Sequence, residues 1–265
     1  MLLSIITINL NNSVGLKRTI ESVLTQTCRD YEWIVIDGGS TDGSKELLEA
    51  NKEHFTFWVS EPDSGVYEAM NKGILLAKGE YLSFMNSGDC FADESVLEYF
   101  LANCDGSDYI VGQSVHEGDY LPSKSKSNKY TPEDELFQLC FSAYPHQAMF
   151  IRRNVFEKYG LYREDKMIAS DWYNSINAII KGGATVSHLP IVVSVCEKDG
   201  ISSRMHHKLS MERNDLVREN PYFAALFEFY LRNLEIVTAL KSNRFAFFLF
   251  RIYFFFYRKL RPRNS

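Results

Sequence analysis

Leu2 to Ile8 is a near-continuous apolar, β-branched run, the pattern of a strand buried on both faces of a parallel sheet. Leu16, Ile20, Val23, Leu24 and Thr27 then recur at helical spacing, so a helix crosses back before the next apolar run, Trp33 to Ile36. Strand, helix and strand in that order make a βαβ unit. The pattern continues with a short helix from Ser44 to Ala50 and a third apolar run at Phe55 to Val59. A helix from Val66 to Ala77 follows, with Val66, Ala69, Met70, Gly73, Ile74 and Ala77 on one face. Gly79 is placed to stop it before a strand at Tyr81 to Met85. This alternation predicts an open α/β sheet with helices on both faces, whose ligands bind outside the carboxyl ends of the strands. Asp37 and Asp89 each follow a strand, so both are predicted to converge on one crevice.

Beyond residue 90 the periodicity weakens. Glu117 to Asn128, overlapping SKSKSNK, is polar, rich in turn formers and without apolar period, as in a loop or lid. Pro132 to Phe141, Arg153 to Tyr159 and Trp172 to Lys181 read as helices, and the turn Gly182-Gly183 leads to a strand through Val192 and Val195. Met211 to Leu260 reads as helices only, and no internal repeat is present.

At 265 residues, 45% hydrophobic and 24% charged, the chain suits one main globular domain with an appendage. A net charge of -5 argues against a general nucleic-acid binder, which needs a surplus of Lys and Arg for phosphates. Charge is unevenly spread, because residues 241–265 carry seven Lys or Arg and no acid among many Phe and Tyr. The apolar run there is shorter than the roughly 20 residues that span a bilayer. It fits a helix lying in the membrane interface, with a packed terminal helix or a dimer contact as the alternatives. Five cysteines without a CxxC pair fit reduced, mostly buried thiols in the cytoplasm. The opening apolar run lacks a basic leader and is read as the first strand rather than a signal peptide.

Several short motifs carry chemistry. DGGSTDG, residues 37–43, puts a carboxylate at a strand end, then glycines for a tight turn, then Ser40, Thr41 and Asp42 as helix caps. A dinucleotide fingerprint is excluded, since GxGxxG is absent after the first strand. In NSGD, residues 86–89, Asp89 is a hard oxygen ligand suited to Mg²⁺ or Mn²⁺, ions held by one or two carboxylates plus substrate phosphates. A turn aspartate is the plainer reading. Tyr67 and Asn71 share a helix face, and Lys72 is either a phosphate partner or solvated surface. For Asn71 a buried structural hydrogen bond competes with ligand contact. Asp171, in SDW, begins a helix, where it or Ser170 would also serve as a cap. His146, in PHQ, is either a satisfied structural residue or a ligand contact.

Together DGGSTDG, the stretch from SEPDSG to NSGD, and SDW resemble the family 2 glycosyltransferases, enzymes of the GT-A fold that move a sugar from a nucleotide to an acceptor. NSGD, PHQ and the late DGIS look most like bacterial members that build capsular or exopolysaccharide. The resemblance covers about residues 1–207. It implies a Rossmann-like mixed sheet flanked by helices, with a nucleotide half (1–90), an acceptor half (91–205) and a helical extension (206–265) outside it. It implies that Asp37 hydrogen-bonds the imide N–H of uracil, Asp89 holds the metal, and Asp171 is the base of an inverting transfer. Thr7, Asn9, Asp63, Tyr67, Asn71, Lys72, Asn86, Ser87, His146 and Arg204 are carried over as contacts to the nucleotide sugar. Many relatives have two or three acids where this chain has Asn86, Gly88 and Asp89, which leaves the number of metal ligands open. The implied partners are a UDP-sugar and a lipid-linked or oligosaccharide acceptor on the cytoplasmic face of the membrane. A peripheral contact through 241–265 and a second copy of the chain are further candidates.

Two rival classes are weaker. A sugar-nucleotide nucleotidyltransferase needs a Gly-rich basic loop after its first strand, and Asn9 to Gly15 has no Arg or Lys. A noncatalytic nucleotide- or carbohydrate-binding protein of the same fold has no need of both Asp89 and Asp171.

Overall fold

The computed structural model describes residues 2–119, 138–139, 143–198 and 205–232. Strands β1 (Leu3–Asn9), β2 (Tyr31–Asp37), β3 (Phe57–Ser60) and β4 (Tyr81–Phe84) are joined in turn by helices α1 (Ser13–Leu24), α2 (Ser44–Ala50) and α3 (Val66–Leu76). β1 lies between β2 and β4, and β2 also pairs with β3, all in parallel. Every residue of β1 is buried, as its unbroken apolar run requires. The remaining elements are β5 (Cys90–Phe91), α4 (Val96–Asn103), β6 (Tyr109–His116), β7 (Met149–Arg152), α5 (Asn154–Tyr159), α6 (Ser170–Ile176), β8 (Val186–Cys196), α7 (His206–Glu219) and α8 (Pro221–Arg232). The sheet order is β3-β2-β1-β4-β7-β6-β8-β5. Antiparallel β7 is inserted between β4 and β6, which makes the sheet mixed.

Alternation along the central strands divides the core into two layers. Leu3, Ile5, Trp33, Val35 and Tyr81 face α1, α2 and α4, packing with Leu16, Ile20, Leu48 and Phe100. Ile6, Ile8, Ile34, Leu82 and Phe84 face α3, α5 and α6, packing with Met70, Ile74, Phe156 and Trp172. Gly73 lets α3 close onto β1, because a Cβ there would lie 2.4 Å from Ile6 Cγ2. Ala at 73 would have to displace that buried side chain, at a cost of about 1–3 kcal/mol.

The expected strands and helices of the first ninety residues all form, with shifted ends. The helix expected over Trp172 to Lys181 begins at Ser170 and relaxes into a π turn over Asn177–Lys181. β5, α4, β6 and β7 were not distinguished in the sequence; β5 has two residues and β7 four, too few to show a period.

The boundary expected near residue 205 is not a boundary in packing. Leu216 and Phe223, on α7 and α8, belong to the same buried cluster as Ile6 and Trp172, and Phe227 stacks edge-on to Trp172 at 5.7 Å. Residues 206–232 thus complete the main body rather than extend from it. Most of the helix expected over Pro132 to Phe141, most of the 117–128 loop, the DGIS segment with Arg204, and the tail from Lys241 lie outside the described residues. Among the described residues, no helix is long and apolar enough to cross a membrane.

Candidate functional site

β1, β2 and β4 lie side by side in parallel, so their carboxyl ends fall along one edge of the sheet. Asp37 ends β2, but its carboxylate is fully buried and already holds four hydrogen bonds. Oδ1 accepts from Asn9 Nδ2 and from the Ser40 hydroxyl, each at 2.6 Å; Oδ2 accepts from the Ser40 N–H at 2.9 Å and the Ser60 hydroxyl at 2.6 Å. Burial alone would raise this carboxyl, but the Ser40, Ser60 and Asn9 donors outweigh it and hold the group below its usual range. A carboxylate so bonded ties the ends of β1, β2 and β3 together, and it is these donors that occupy its oxygens. The carboxylate with a free oxygen is Asp63. Its Oδ1 accepts from the Gly65 N–H at 3.1 Å, while Oδ2 lies against Gly38 and accepts no hydrogen bond from a described residue. Burial pushes the Asp63 carboxyl up.

The NSGD segment forms a tight turn held from below by α1. The Thr19 hydroxyl accepts from the Gly88 N–H at 3.0 Å and faces the Asp89 carbonyl at 2.7 Å, in place to donate to it. Asn12 caps α1 through Gly15 and donates to the Ser87 carbonyl at 3.2 Å. Gly88 has φ 98°, and a Cβ there would lie 2.6 Å from the Glu197 carboxyl carbon. Asp89 is 9% exposed. Burial pushes its carboxyl up, and His146, Cys196 and Gln147 pull it back down. Among the described residues no group of three or more His, Cys, Asp or Glu is arranged to cage a metal. One buried hard oxygen donor just beyond the carboxyl end of β4 fits Mg²⁺ or Mn²⁺, which take most of their ligands from diphosphate and water.

Asp171 stands in the first turn of α6. Its Oδ1 accepts from the Tyr67 hydroxyl at 2.9 Å, and Oδ2 lies 3.5 Å from His146 Nδ1. His146 Nε2 lies 2.9 Å from Asn86 Nδ2. Asp171, His146 and Asn86 therefore form a polar chain from α6 to the NSGD turn. Burial would raise Asp171, but the hydrogen bond and charge of His146 and the Tyr67 hydroxyl hold it below its usual range. For His146, burial opposes the cation, and the Asp171 carboxylate more than offsets that, so its pKa is raised. Asn86 Oδ1 is buried without a partner. Rotating that amide by 180° places Oδ1 against a protonated Nε2, so Asn86 serves either protonation state of the histidine.

Asp171 does not cap α6. The residue preceding the helix is Ala169, no side-chain cap bond is made, and the Ser170 hydroxyl instead accepts from the Arg163 N–H. The backbone donors ahead of α6 are taken by Glu212 of α7, whose carboxylate accepts from the N–H groups of Met167, Ile168 and Ala169 at 2.9, 2.9 and 3.1 Å. A cleft of about 180 Å³ between the start of α3 and α7 reaches Tyr67, with Lys208 and Glu212 in its wall.

This edge of the sheet does not gather every residue singled out in the sequence. Thr7 is fully buried and accepts from the Trp33 indole at 3.0 Å, so it packs the sheet rather than faces a ligand. Asn71 is spent on the backbone of Tyr162, accepting from its N–H at 3.0 Å and donating to its carbonyl at 2.9 Å, and on Glu164. Lys72 lies between Glu61 and Glu68 at 3.0 and 2.9 Å, an ion-paired surface cation. Asn9, Asp63, Asn86, Ser87 and Asp89 sit at or just beyond the carboxyl ends of β1, β3 and β4, and Tyr67, Asp171 and His146 are joined in turn to Asn86. Thr19, Glu197 and Glu212 were missed. Thr19 and Glu212 sit inside helical stretches, and nothing in their local pattern marks them apart from surface residues.

A family model described as glycosyl transferase family 2 matches residues 4–160. An uncharacterized glycosyltransferase of Mycobacterium tuberculosis is 32% identical over 227 residues, 81% of this chain and 81% of that protein. The PGL/p-HBAD biosynthesis glycosyltransferase of Mycobacterium bovis is 28% identical over 218 residues, 79% of this chain and 82% of that one. Among solved structures, S. aureus TarS in complex with UDP-GlcNAc superposes with a TM-score of 0.62 at 18% identity, covering 77% of this chain and 61% of that one. The mannosyltransferase PcManGT from Pyrobaculum calidifontis, in complex with GDP-Man and Mn²⁺, superposes with a TM-score of 0.63 at 19% identity, covering 86% and 69%.

Proposed function

Because the chain belongs to glycosyl transferase family 2 and has the GT-A fold, we propose that it transfers a hexose or N-acetylhexosamine from a nucleotide sugar, UDP-linked, to a glycan acceptor of a surface polysaccharide or glycolipid, with inversion at the anomeric carbon. The observation that carries this reading is the chain Tyr67, Asp171, His146, Asn86, which ties a carboxylate on the acceptor side to the turn that bears Asp89. Asp171 takes the proton of the acceptor hydroxyl as that oxygen attacks the anomeric carbon, and the bond to the nucleoside diphosphate breaks on the opposite face. A carboxylate held ionised is a weak base in the ground state. It suffices because the attacking hydroxyl becomes acidic as its bond to carbon forms.

Asp89 would hold Mg²⁺ or Mn²⁺, and when bound the ion offsets the charge of the departing diphosphate. Asp63, with its free oxygen, takes the place given in the sequence to Asp37 as acceptor for the imide N–H of the base. The late position of Asp171 and family membership count against a nucleotidyltransferase, and the ordered support around Asp171 counts against a noncatalytic binder.

The test is a thermal-shift panel of UDP, GDP, dTDP and CMP with and without Mn²⁺, on the wild type and on Asp89→Ala and Asp171→Asn. A ligand at 100 times its dissociation constant stabilises by about 2.7 kcal/mol. UDP with Mn²⁺ is expected to raise the melting temperature of the wild type and Asp171→Asn, and not of Asp89→Ala. With a nucleotide-sugar donor, Asp171→Asn is expected to transfer about 10²- to 10⁴-fold more slowly. Wild-type turnover in that variant would remove Asp171 from the role of base.

A further inference from the structure

Arg213 follows Glu212 on α7, and its guanidinium carbon stands 5.0 Å from the centre of the Trp172 ring, the residue next to Asp171. The side chain is partly buried, and its Nε is buried without a partner. The guanidinium makes no hydrogen bond or ion pair with a described residue. Arg18, Arg152, Arg153 and Arg163, by contrast, each hold a carboxylate. Burial lowers the Arg213 pKa, and the charges that act on it are those of Asp171 and Tyr67. Asp171 is already engaged by His146 and Tyr67, so it does not complete the Arg213 fork.

A guanidinium held over an indole is restrained in advance, and its planar N–H groups match the oxygens of a phosphate or carboxylate. Among the described residues this partly desolvated cation has no anion paired with it, which leaves a positive charge beside Asp171. We propose that Arg213 binds an anionic group of the acceptor, a phosphate or a carboxylate, and so selects acceptors that carry negative charge near the reacting hydroxyl. The inference rests on the assignment of Asp171 to the acceptor side.

The test compares the wild type with Arg213→Gln and Arg213→Lys on a neutral oligosaccharide acceptor, the same acceptor bearing a phosphate monoester, and one bearing a uronate. Arg213→Gln is expected to raise KM for one or both charged acceptors by tenfold or more, with donor KM and the kinetics on the neutral acceptor unchanged. Arg213→Lys keeps the charge and is expected to recover part of the loss. The arm with the larger loss identifies phosphate or carboxylate as the source of the anion. An equal loss on all three acceptors, or a shifted pH profile of kcat at constant KM, would overturn the proposal in favour of packing or of tuning Asp171. Calorimetric titration of methyl phosphate and methyl glucuronide into the wild type and Asp171→Asn separates the two readings without turnover. Binding that survives in Asp171→Asn but not in Arg213→Gln upholds the anion site even where Asp171 proves not to be the base, and no binding to the wild type overturns it.

Discussion

The Tyr67 hydroxyl donates to Asp171 Oδ1 at 2.9 Å and accepts the Ser170 N–H at 3.0 Å, so one phenol from α3 fixes both the carboxylate and the start of the helix that carries it. Burial raises the tyrosine pKa well above its ordinary value, and the Asp171 charge raises it further, so the phenol stays a donor at neutral pH. Tyr67→Phe removes a hydrogen bond to a charged group, worth about 1.5–3 kcal/mol, and is expected to slow transfer by about 10- to 100-fold. Losing a donor to the carboxylate raises the Asp171 pKa, so the acidic limb of kcat/KM against pH moves to higher pH. An unmoved limb would remove Tyr67 from the control of Asp171.

The His146–Asp171 pair gives stability a pH dependence whose sign follows from the two shifts. The folded His146 pKa is raised, so its contribution is fully present below the unfolded value of 6.5 and is lost as pH rises through the folded value. The folded Asp171 pKa is lowered, so its contribution is present above 3.8 and is lost as pH falls through the folded value. His146→Gln is therefore expected to lower the melting temperature relative to wild type more at pH 5.5 than at pH 8.5. A difference that grows with pH would contradict the assignment.

Thr19 supports the NSGD turn with a single hydroxyl. Thr19→Val keeps the shape but leaves the buried Gly88 N–H without its acceptor, at a cost of about 1–3 kcal/mol. Denaturant unfolding should show that loss, and calorimetry should show weaker Mn²⁺-dependent binding of UDP even though Thr19 touches neither. Gly88→Ala meets a positive φ and the Glu197 carboxyl group together. It is expected to cost about 1–3 kcal/mol from backbone strain alone.

Glu212 accepts three backbone N–H groups just ahead of α6. Glu212→Ala leaves all three without their partner and is expected to destabilise by about 3 kcal/mol or more. Because the ends of β1 to β4 are built without α7, donor KM should change little while kcat falls. Unaltered kcat in a folded variant would show that α6 holds its place without this carboxylate.

The parallel strands of the first ninety residues were legible because most are buried on both faces and leave apolar runs between amphipathic helices. That Asp89 follows a buried strand and Asp171 opens a helix was legible because each stands in a short polar motif beside an apolar element. The use of Asp37 was not. Two of its four hydrogen bonds come from Ser40 in the same turn, but the other two come from Asn9 and Ser60, which reach it only when β1, β2 and β3 align. Glu212 and Arg213 were hidden for a similar reason. Their contacts with residues 167–172 bridge chain separations of 40 residues or more, and a polar side chain that turns inward on a helix of mostly polar composition leaves no periodic mark.

The support of α6 by Glu212 also orders events during synthesis. The ribosome releases the chain from its amino end, so β1 to β4 and the Asp89 turn are all available before the carboxylate that anchors the base helix has emerged. A nascent or prematurely ended chain stopping short of α7 holds every strand of the sheet but lacks the brace for Asp171. Because Leu216 and Phe223 also complete the core around Ile6 and Trp172, such a fragment lacks part of its packing as well as that brace. On the proposed reading, competence for transfer is expected only once α7 has taken its place beside α6.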